Sequence, residues 1–160
     1  MTTTEFTLRA AGPDDIDAIA AVWHAGWPDG HLGHVPEQLA QHRQLDDFRR
    51  RVPDRLAGTV VATIDDRVVG FVMAHDDEVE QLYVAAEARG RGVADALLRR
   101  GQELVSANGF GRAWLAVATG NARARAFYER MGWTDAGPIE YAAQTATGSI
   151  AVSCHRYESG

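Results

Sequence analysis

Between Asp15 and His24, apolar side chains recur at Ile16, Ile19, Ala20 and Trp23, the i, i+3, i+4, i+7 spacing that lays one stripe along a helix. Gly12-Pro13-Asp14-Asp15 ahead of it is a helix start signal, and residues 5–10 before that read as a short strand. The density of Gly and Pro over residues 26–36 predicts a loop, one rich in aromatic and imidazole groups (Trp27, His31, His34). After Pro36 a second helical pattern turns Leu45, Phe48 and Val52 inward and Arg49-Arg50-Arg51 mostly outward, ending at Pro53. That arginine triplet reads as a solvated helix end, with a ligand patch as the alternative.

The period then changes to two. Residues 59–65 and 67–75 are β-branched runs that meet at Asp65-Asp66 as a hairpin, and a third strand, 78–84, follows Asp76-Asp77. Residues 92–108 return to helical spacing, with Val93, Leu97, Gly101, Leu104 and Val105 on one stripe, and Gly109 stands at the C-cap. Residues 113–117 read as a strand, 121–131 as a short helix stopped by Gly132, and 133–142 with 149–157 as a final strand pair. The order is that of a mixed α+β domain rather than a uniform βαβ alternation.

Composition bounds this picture. The chain has 160 residues, 46% apolar, which suits one domain spanning 1–160 with a single core. All 16 basic residues are arginine, and the formal net charge is -6. An acidic chain argues against duplex-DNA binding driven by counterion release, so no nucleic-acid partner is expected and any anionic ligand must meet a local patch. Cys154 is the single cysteine, which excludes an internal disulfide and a cysteine-rich zinc site. The first residues lack a basic and then apolar leader pattern, and no run is long enough for a membrane span, so a cytoplasmic protein without membrane association is expected.

The local patch is Arg89-Gly90-Arg91-Gly92-Val93-Ala94, at the junction of a strand and a long amphipathic helix. Backbone N–H groups in the first helical turn have no intrahelical partner and carry the positive end of the macrodipole. Glycine lets backbone approach a pyrophosphate, and arginine adds charge-assisted donors. A Walker loop is excluded because no lysine is present, and a dinucleotide fingerprint fails because Asp95 stands where a third glycine belongs and no parallel βαβ unit is expected around it.

Arg89-Gly90-Arg91-Gly92-Val93-Ala94 resembles the Arg/Gln-x-x-Gly-x-Gly/Ala signature of the GNAT superfamily of acetyl-CoA-dependent N-acetyltransferases, with Leu82-Tyr83-Val84 at the family's usual offset before it. Asn121-Ala122-Arg123-Ala124-Arg125-Ala126-Phe127-Tyr128-Glu129-Arg130-Met131-Gly132-Trp133 is similar to the family's Asn-x-x-Ala-x-x-Phe-Tyr-x-x-x-Gly-Phe helix, with Trp for the last Phe. The resemblance covers residues 78–133 closely and the first 55 only in outline.

It implies a central, mostly antiparallel sheet of about seven strands flanked by about four helices. It implies acetyl-CoA as cosubstrate and no metal. The N–H groups of Gly90, Arg91, Gly92, Val93 and Ala94 would cradle the coenzyme A pyrophosphate, with Arg89 and Arg91 bordering it. Leu82, Tyr83 and Val84 would pair with the pantetheine arm where β-strands 78–84 and 113–117 splay, Asn121 would contact it from the other side, and the Val84 N–H would serve the oxyanion. Glu80 is the preferred general base and Glu78 the alternative, both expected on one strand face with Leu82 and Val84. Tyr128 fills the position that protonates the leaving thiolate, or else a binding position.

Cys154 is expected to pack in the core rather than act as a nucleophile, and His155 to face a pocket or the surface. His31 and His34 flank the acceptor site in the resemblance. The implied reaction is direct transfer of acetyl from acetyl-CoA to a primary amine, of a small molecule in the first reading. A protein N-terminal or lysine acceptor is the alternative, and a non-catalytic acyl-CoA-binding module the second. Homodimers form through sheet edges or last strands in similar proteins, so a homodimer is open here too.

Overall fold

Two tight reversals organise the first half of the sheet. Asp65 and Asp66 both take positive φ (50° and 63°), as a two-residue hairpin turn demands, and Asp76 does the same (φ 52°) at the next reversal. The computed structural model describes residues 5–160. These turns join β2 (Thr59–Ile64), β3 (Arg67–His75) and β4 (Glu78–Val84) into an antiparallel meander, with β1 (Thr7–Ala10) on its outer edge. Beyond β4 come β5 (Trp114–Ala118), β7 (Gly148–Glu158) and β6 (Thr134–Thr145), giving one seven-stranded sheet in the order β1-β2-β3-β4-β5-β7-β6. The fold is mixed α+β, as the element order predicted, and mostly antiparallel, as the resemblance implied.

Helix α4 (Val93–Ala107) covers one face and buries Val93, Leu97, Leu98 and Val105 against Val72, Val79 and Leu115. Gly101 sits where any Cβ would come within 3.0 Å of Val72 and 3.3 Å of Val79, which lets the helix lie close on the sheet. Helices α1 (Ile16–His31) and α3 (Leu45–Arg51) cover the other face, where Ile19, Trp23 and Phe48 pack on Phe71 and Met73. Two shorter α-helices, α2 (Glu37–Ala40) and α5 (Ala122–Arg130), and three short 3-10 turns at Pro13–Asp15, Pro53–Gly58 and Ala86–Ala88 complete the helical set among the described residues. The helical pattern after Pro36 is split into the single turn α2 and the helix α3.

Three expectations are corrected. First, α1 does not end at His24 but runs to His31, through Pro28. The stripe Ile19, Ala20, Trp23 gains Trp27 one turn on, 5% exposed, and burial of that indole outweighs the hydrogen bond Pro28 cannot donate. Gly26 and Gly30 are close-approach positions rather than breakers: a Cβ would stand 2.7 Å from Cδ1 of Tyr83 and 2.7 Å from Nδ2 of Asn121, respectively. Second, β4-α4-β5 is a parallel crossover, although β4 and β5 pair at one position only, Glu78 with Trp114. Third, the β3–β4 register slips by one residue between Met73 and Ala74, so Glu80 is the extra residue of a bulge. Leu82 and Val84 therefore face α4, while Glu78 and Glu80 face the α1/α3 side, not the shared face that simple alternation predicts.

Candidate active site

The single-pair contact between β4 and β5 opens a slot. The Ala85 N–H donates to the Val69 carbonyl at 2.7 Å, which sets the alternation along β4: Tyr83 addresses β3, while the N–H groups of Leu82 and Val84 point toward β5, where no ladder partner among the described residues meets them. A cleft of about 590 Å³ runs along this slot. Its lining includes Leu82, Tyr83 and Val84 from β4, Val117 and Ala118 from β5, and Asn121, Phe127 and Tyr128 from the α5 region.

One end of the cleft is the glycine turn. Gly90 and Gly92 take φ of 79° and 80°, the left-handed region where a side chain costs energy, and this geometry aims the turn and the start of α4 at the cleft. Gly90, Gly92, Val93 and Ala94 line it, as does Arg89, whose Nη2 pairs with Asp29 of α1 at 3.1 Å. Arg91 is exposed and lies outside the lining, which departs from its expected bordering position. Two arginines that the sequence motif did not single out, Arg123 and Arg130, reach the same space from α5. Their signal was the spacing of seven residues, which puts both on one helix side.

Asn121 caps α5, accepting from the Ala124 N–H at 3.2 Å, and packs against Gly30. A web of polar contacts holds α5 on the last strands: Arg125 reaches Tyr157 Oη (3.2 Å) and Asp135 (3.2 Å), and Tyr157 donates to Glu129 at 2.8 Å. His155 belongs to this web through Asp135 (2.9 Å), not to the cleft lining. Tyr128 packs against Trp133 and Tyr157 with ring centroids 6.2 and 6.0 Å away, and burial pushes its phenol up to about 12. It lines the cleft, and among the described residues no protein group takes a hydrogen bond from its hydroxyl.

The other end is built from separated parts of the chain. Glu80 lines the cleft, and Arg55 grips both its oxygens through Nε, the longer contact at 3.2 Å. Glu78 is half-buried behind it and accepts a hydrogen bond from the Tyr141 hydroxyl; burial raises its carboxyl to about 7, with Glu80 and Asp77 adding to the rise and Tyr141 opposing it. Tyr141 comes from β6 and lines the cleft. Arg43 and Arg51 line it too, and the Arg51 guanidinium lies 4.5 Å from the Trp23 ring centroid.

The arginine triplet is thus split. Arg49 pairs with Asp17 and Asp46 at 3.2 Å and Arg50 with Asp47, both at the surface, while Arg51 turns inward. It stands three residues after Phe48, on the buried side of the stripe, and that was the signal available.

His31 stacks on Trp27 (4.7 Å, 3°), its Nδ1–H donates to the Trp27 carbonyl at 2.8 Å, and burial lowers the imidazole to about 4. His34 is exposed. Cys154 borders the cleft but is 5% exposed with its thiol pushed up to about 11 by burial, which fits packing better than nucleophilic attack. Among the described residues no group of three or more His, Cys, Asp or Glu is placed to hold a metal ion, and no helix is long and apolar enough to cross a membrane.

Solved structures with this fold include acetyltransferases. A GCN5-related N-acetyltransferase from Rhodopseudomonas palustris superposes with TM-score 0.75 over 100% of this chain and 98% of its own, at 20% identity. YncA from Salmonella typhimurium, solved with its cofactor acetyl-CoA, gives TM-score 0.71 over 96% and 92% at 17% identity. At such identities the likeness is one of fold. The sequence match goes further: residues 18–133 fit the model of the acetyltransferase (GNAT) family, and the chain belongs to that family. A curated relative, mycothiol acetyltransferase of Corynebacterium glutamicum, is 38% identical over 113 residues, 68% of this chain. The matched stretch spans 37% of that relative's length.

Proposed function

We propose that this protein is an N-acetyltransferase that moves the acetyl group of acetyl-CoA to a primary amine of a small molecule by direct attack within a ternary complex. The observation that carries this reading is the slot between β4 and β5, with two unpaired N–H groups on one wall and the glycine turn at its end. A pantetheine arm laid in the slot takes up the missing ladder at Val84, and its pyrophosphate meets the N–H groups from Gly90 to Ala94 with Arg89, Arg123 and Arg130 around it. The similarity to mycothiol acetyltransferase supports a small-molecule acceptor.

An alkyl amine is protonated at neutral pH, and freeing its lone pair there costs about 4 kcal/mol. Glu80 lies nearer the slot, but its oxygens are engaged by Arg55, so in this reading it borders the amine without taking its proton. The proton passes to Glu78 through the Tyr141 hydroxyl, which receives it from the amine as it donates its own to the carboxylate. A group raised to about 7 is poised for that exchange. The amine then attacks the thioester carbonyl, and the oxyanion meets a β4 N–H, a contact worth ~3 kcal/mol. Leu82 is two residues from Glu80 and Val84 four, so at ~3.3 Å per residue the Leu82 N–H is the donor within reach of an amine beside Glu80.

Collapse of the tetrahedral intermediate expels the thiolate. Tyr128, with its phenol near 12, stays protonated throughout the working range and donates a hydrogen bond to the departing sulfur. Full transfer from that phenol to a thiolate of pKa ~8.5 is uphill, so the proton that neutralises the sulfur comes from the ammonium formed on attack.

Titration with acetyl-CoA followed by thiol release across an amine panel tests the reading, with Glu78→Gln and Glu80→Gln measured beside the native chain. Turnover with an acidic limb near pH 7 that disappears in Glu78→Gln and persists in Glu80→Gln is expected. Binding of acetyl-CoA without thiol release on any amine would leave a non-catalytic acyl-CoA-binding module. A limb lost in Glu80→Gln alone would return the base role to Glu80.

A further inference from the structure

The acceptor end of the cleft holds more positive charge than a simple amine calls for. Arg43, in the segment between α2 and α3, is 6% exposed and borders the cleft. Its Nη1 donates to the His42 carbonyl at 3.0 Å, and among the described residues no carboxylate forms an ion pair with it. Arg51 borders the same space, stacked on Trp23, and likewise has no ion-pair partner among the described residues. The acidic groups that act on them from a distance are already engaged: Asp47 by Arg50 and by the Gln44 N–H at 2.8 Å, and Glu80 by Arg55.

Burial lowers both guanidiniums, Arg43 to about 10 with Arg51 adding to the effect, yet both stay charged at neutral pH. One buried and one half-buried cation without counter-ions among the described residues disfavour the empty state, and the cost is relieved when a ligand brings negative charge. Guanidinium forks suit planar carboxylates and phosphate oxygens, which they bind in pairs of hydrogen bonds.

We propose that Arg43 and Arg51 form an anion subsite and that the acceptor is a primary amine bearing a carboxylate or phosphate group. The anion is held by the two guanidiniums while the amine turns toward Glu80 and Tyr141. This assignment rests on the acetyltransferase reading and narrows its substrate class. Both arginines are specificity residues: they touch the part of the acceptor that does not react.

The test is thiol release with acetyl-CoA, comparing anionic amines with neutral partners of the same skeleton: the twenty L-amino acids against their carboxamides, and O-phosphoethanolamine against ethanolamine. At least one anionic amine should exceed its neutral partner by about tenfold or more in kcat/KM. In Arg43→Met and Arg51→Met that ratio should fall toward one, through KM more than kcat, and Arg51→Lys should restore part of it. Preference among the amino acids marks a carboxylate, and preference for O-phosphoethanolamine a phosphate.

The native comparison needs no variant, so misfolding of a variant leaves the test intact. Equal use of charged and neutral partners overturns the proposal, as does a preference that survives both substitutions. An arginine-dependent preference for succinyl-CoA over acetyl-CoA would also overturn it, placing the anion on the acyl group. Thiol release on neutral amines only would sink the subsite while sparing the acetyltransferase; bound acetyl-CoA with no release on either set would sink both.

Discussion

The two ends of the cleft are made differently. The end proposed for the coenzyme is assembled from backbone N–H groups, two left-handed glycines and exposed arginines, most of them within one stretch of chain from Leu82 to Ala94. The end proposed for the acceptor is assembled from half-buried and buried charges, Glu78, Glu80, Arg43 and Arg51, with the phenol of Tyr141, on elements far apart in sequence. Backbone donors do not titrate, whereas buried carboxylates do. The coenzyme end should therefore respond to salt and to backbone substitution, and the acceptor end to pH.

The largest effect that would break this contrast is at Glu78. Glu78→Gln is expected to lower kcat/KM for the amine by about 100-fold at pH 8 and to leave the acetyl-CoA dissociation constant, read by calorimetry, little changed. An equal loss in coenzyme affinity would show the two ends to be one unit.

The same residue gives a stability prediction. The fold raises its carboxyl from 4.5 to about 7, so its contribution to folding is full below about 4.5 and lost as pH rises through about 7. Glu78→Gln should stabilise the protein by about 1–2 kcal/mol at pH 8, allowing for partial solvent access, with the gain vanishing toward pH 4 in urea titrations.

Tyr128→Phe comes next. Loss of one hydrogen bond to the leaving sulfur should lower kcat by about tenfold without moving the acidic limb. Full turnover in the variant would reduce Tyr128 to a packing residue.

Gly92→Ala sharpens the other end. Nothing lies within 4 Å of the added Cβ, so the cost is the left-handed backbone, of order 1 kcal/mol. Acetyl-CoA binding should weaken by up to about fivefold, with a calorimetric dissociation constant that rises in salt and stays flat between pH 7 and 9.

The smallest expected change is at Cys154. Cys154→Ala should reduce kcat by no more than about threefold through lost packing, and mass spectrometry of the native chain with acetyl-CoA should find no acylated thiol. An acetyl-cysteine that forms and decays at the turnover rate would replace direct transfer by a ping-pong route.

The glycine turn at the proposed coenzyme end was legible from residues alone, because its geometry is local. The turn needs Gly at 90 and 92 and a helix start at Val93, and strand, turn and helix are contiguous, so a linear motif carries the whole device. The same holds for the hairpin at Asp65-Asp66, whose positive φ values follow from turn chemistry. Arg123 and Arg130 were missed there, since a motif names the residues it repeats and not those that vary around it.

The acceptor end was legible only as a list of candidates. Alternation put Glu80 beside Leu82, and a single inserted residue in the β3–β4 register turned it to the other face. Nothing in the local pattern announces a bulge, because the slip is decided by pairing with β3. The sequence likewise offered Arg49, Arg50 and Arg51 as equals; packing of α3 on Trp23 and Phe71 sent the first two to solvent and the third into the cleft.

By itself the sequence determined the order of elements and the glycine turn, for these depend on backbone geometry between near neighbours. Tertiary structure decided which carboxylate is buried enough to hold a proton near neutrality and which arginines are left without partners. Desolvation and charge pairing depend on what packs from other elements, as Tyr141 from β6 meets Glu78 of β4 across 63 residues of chain.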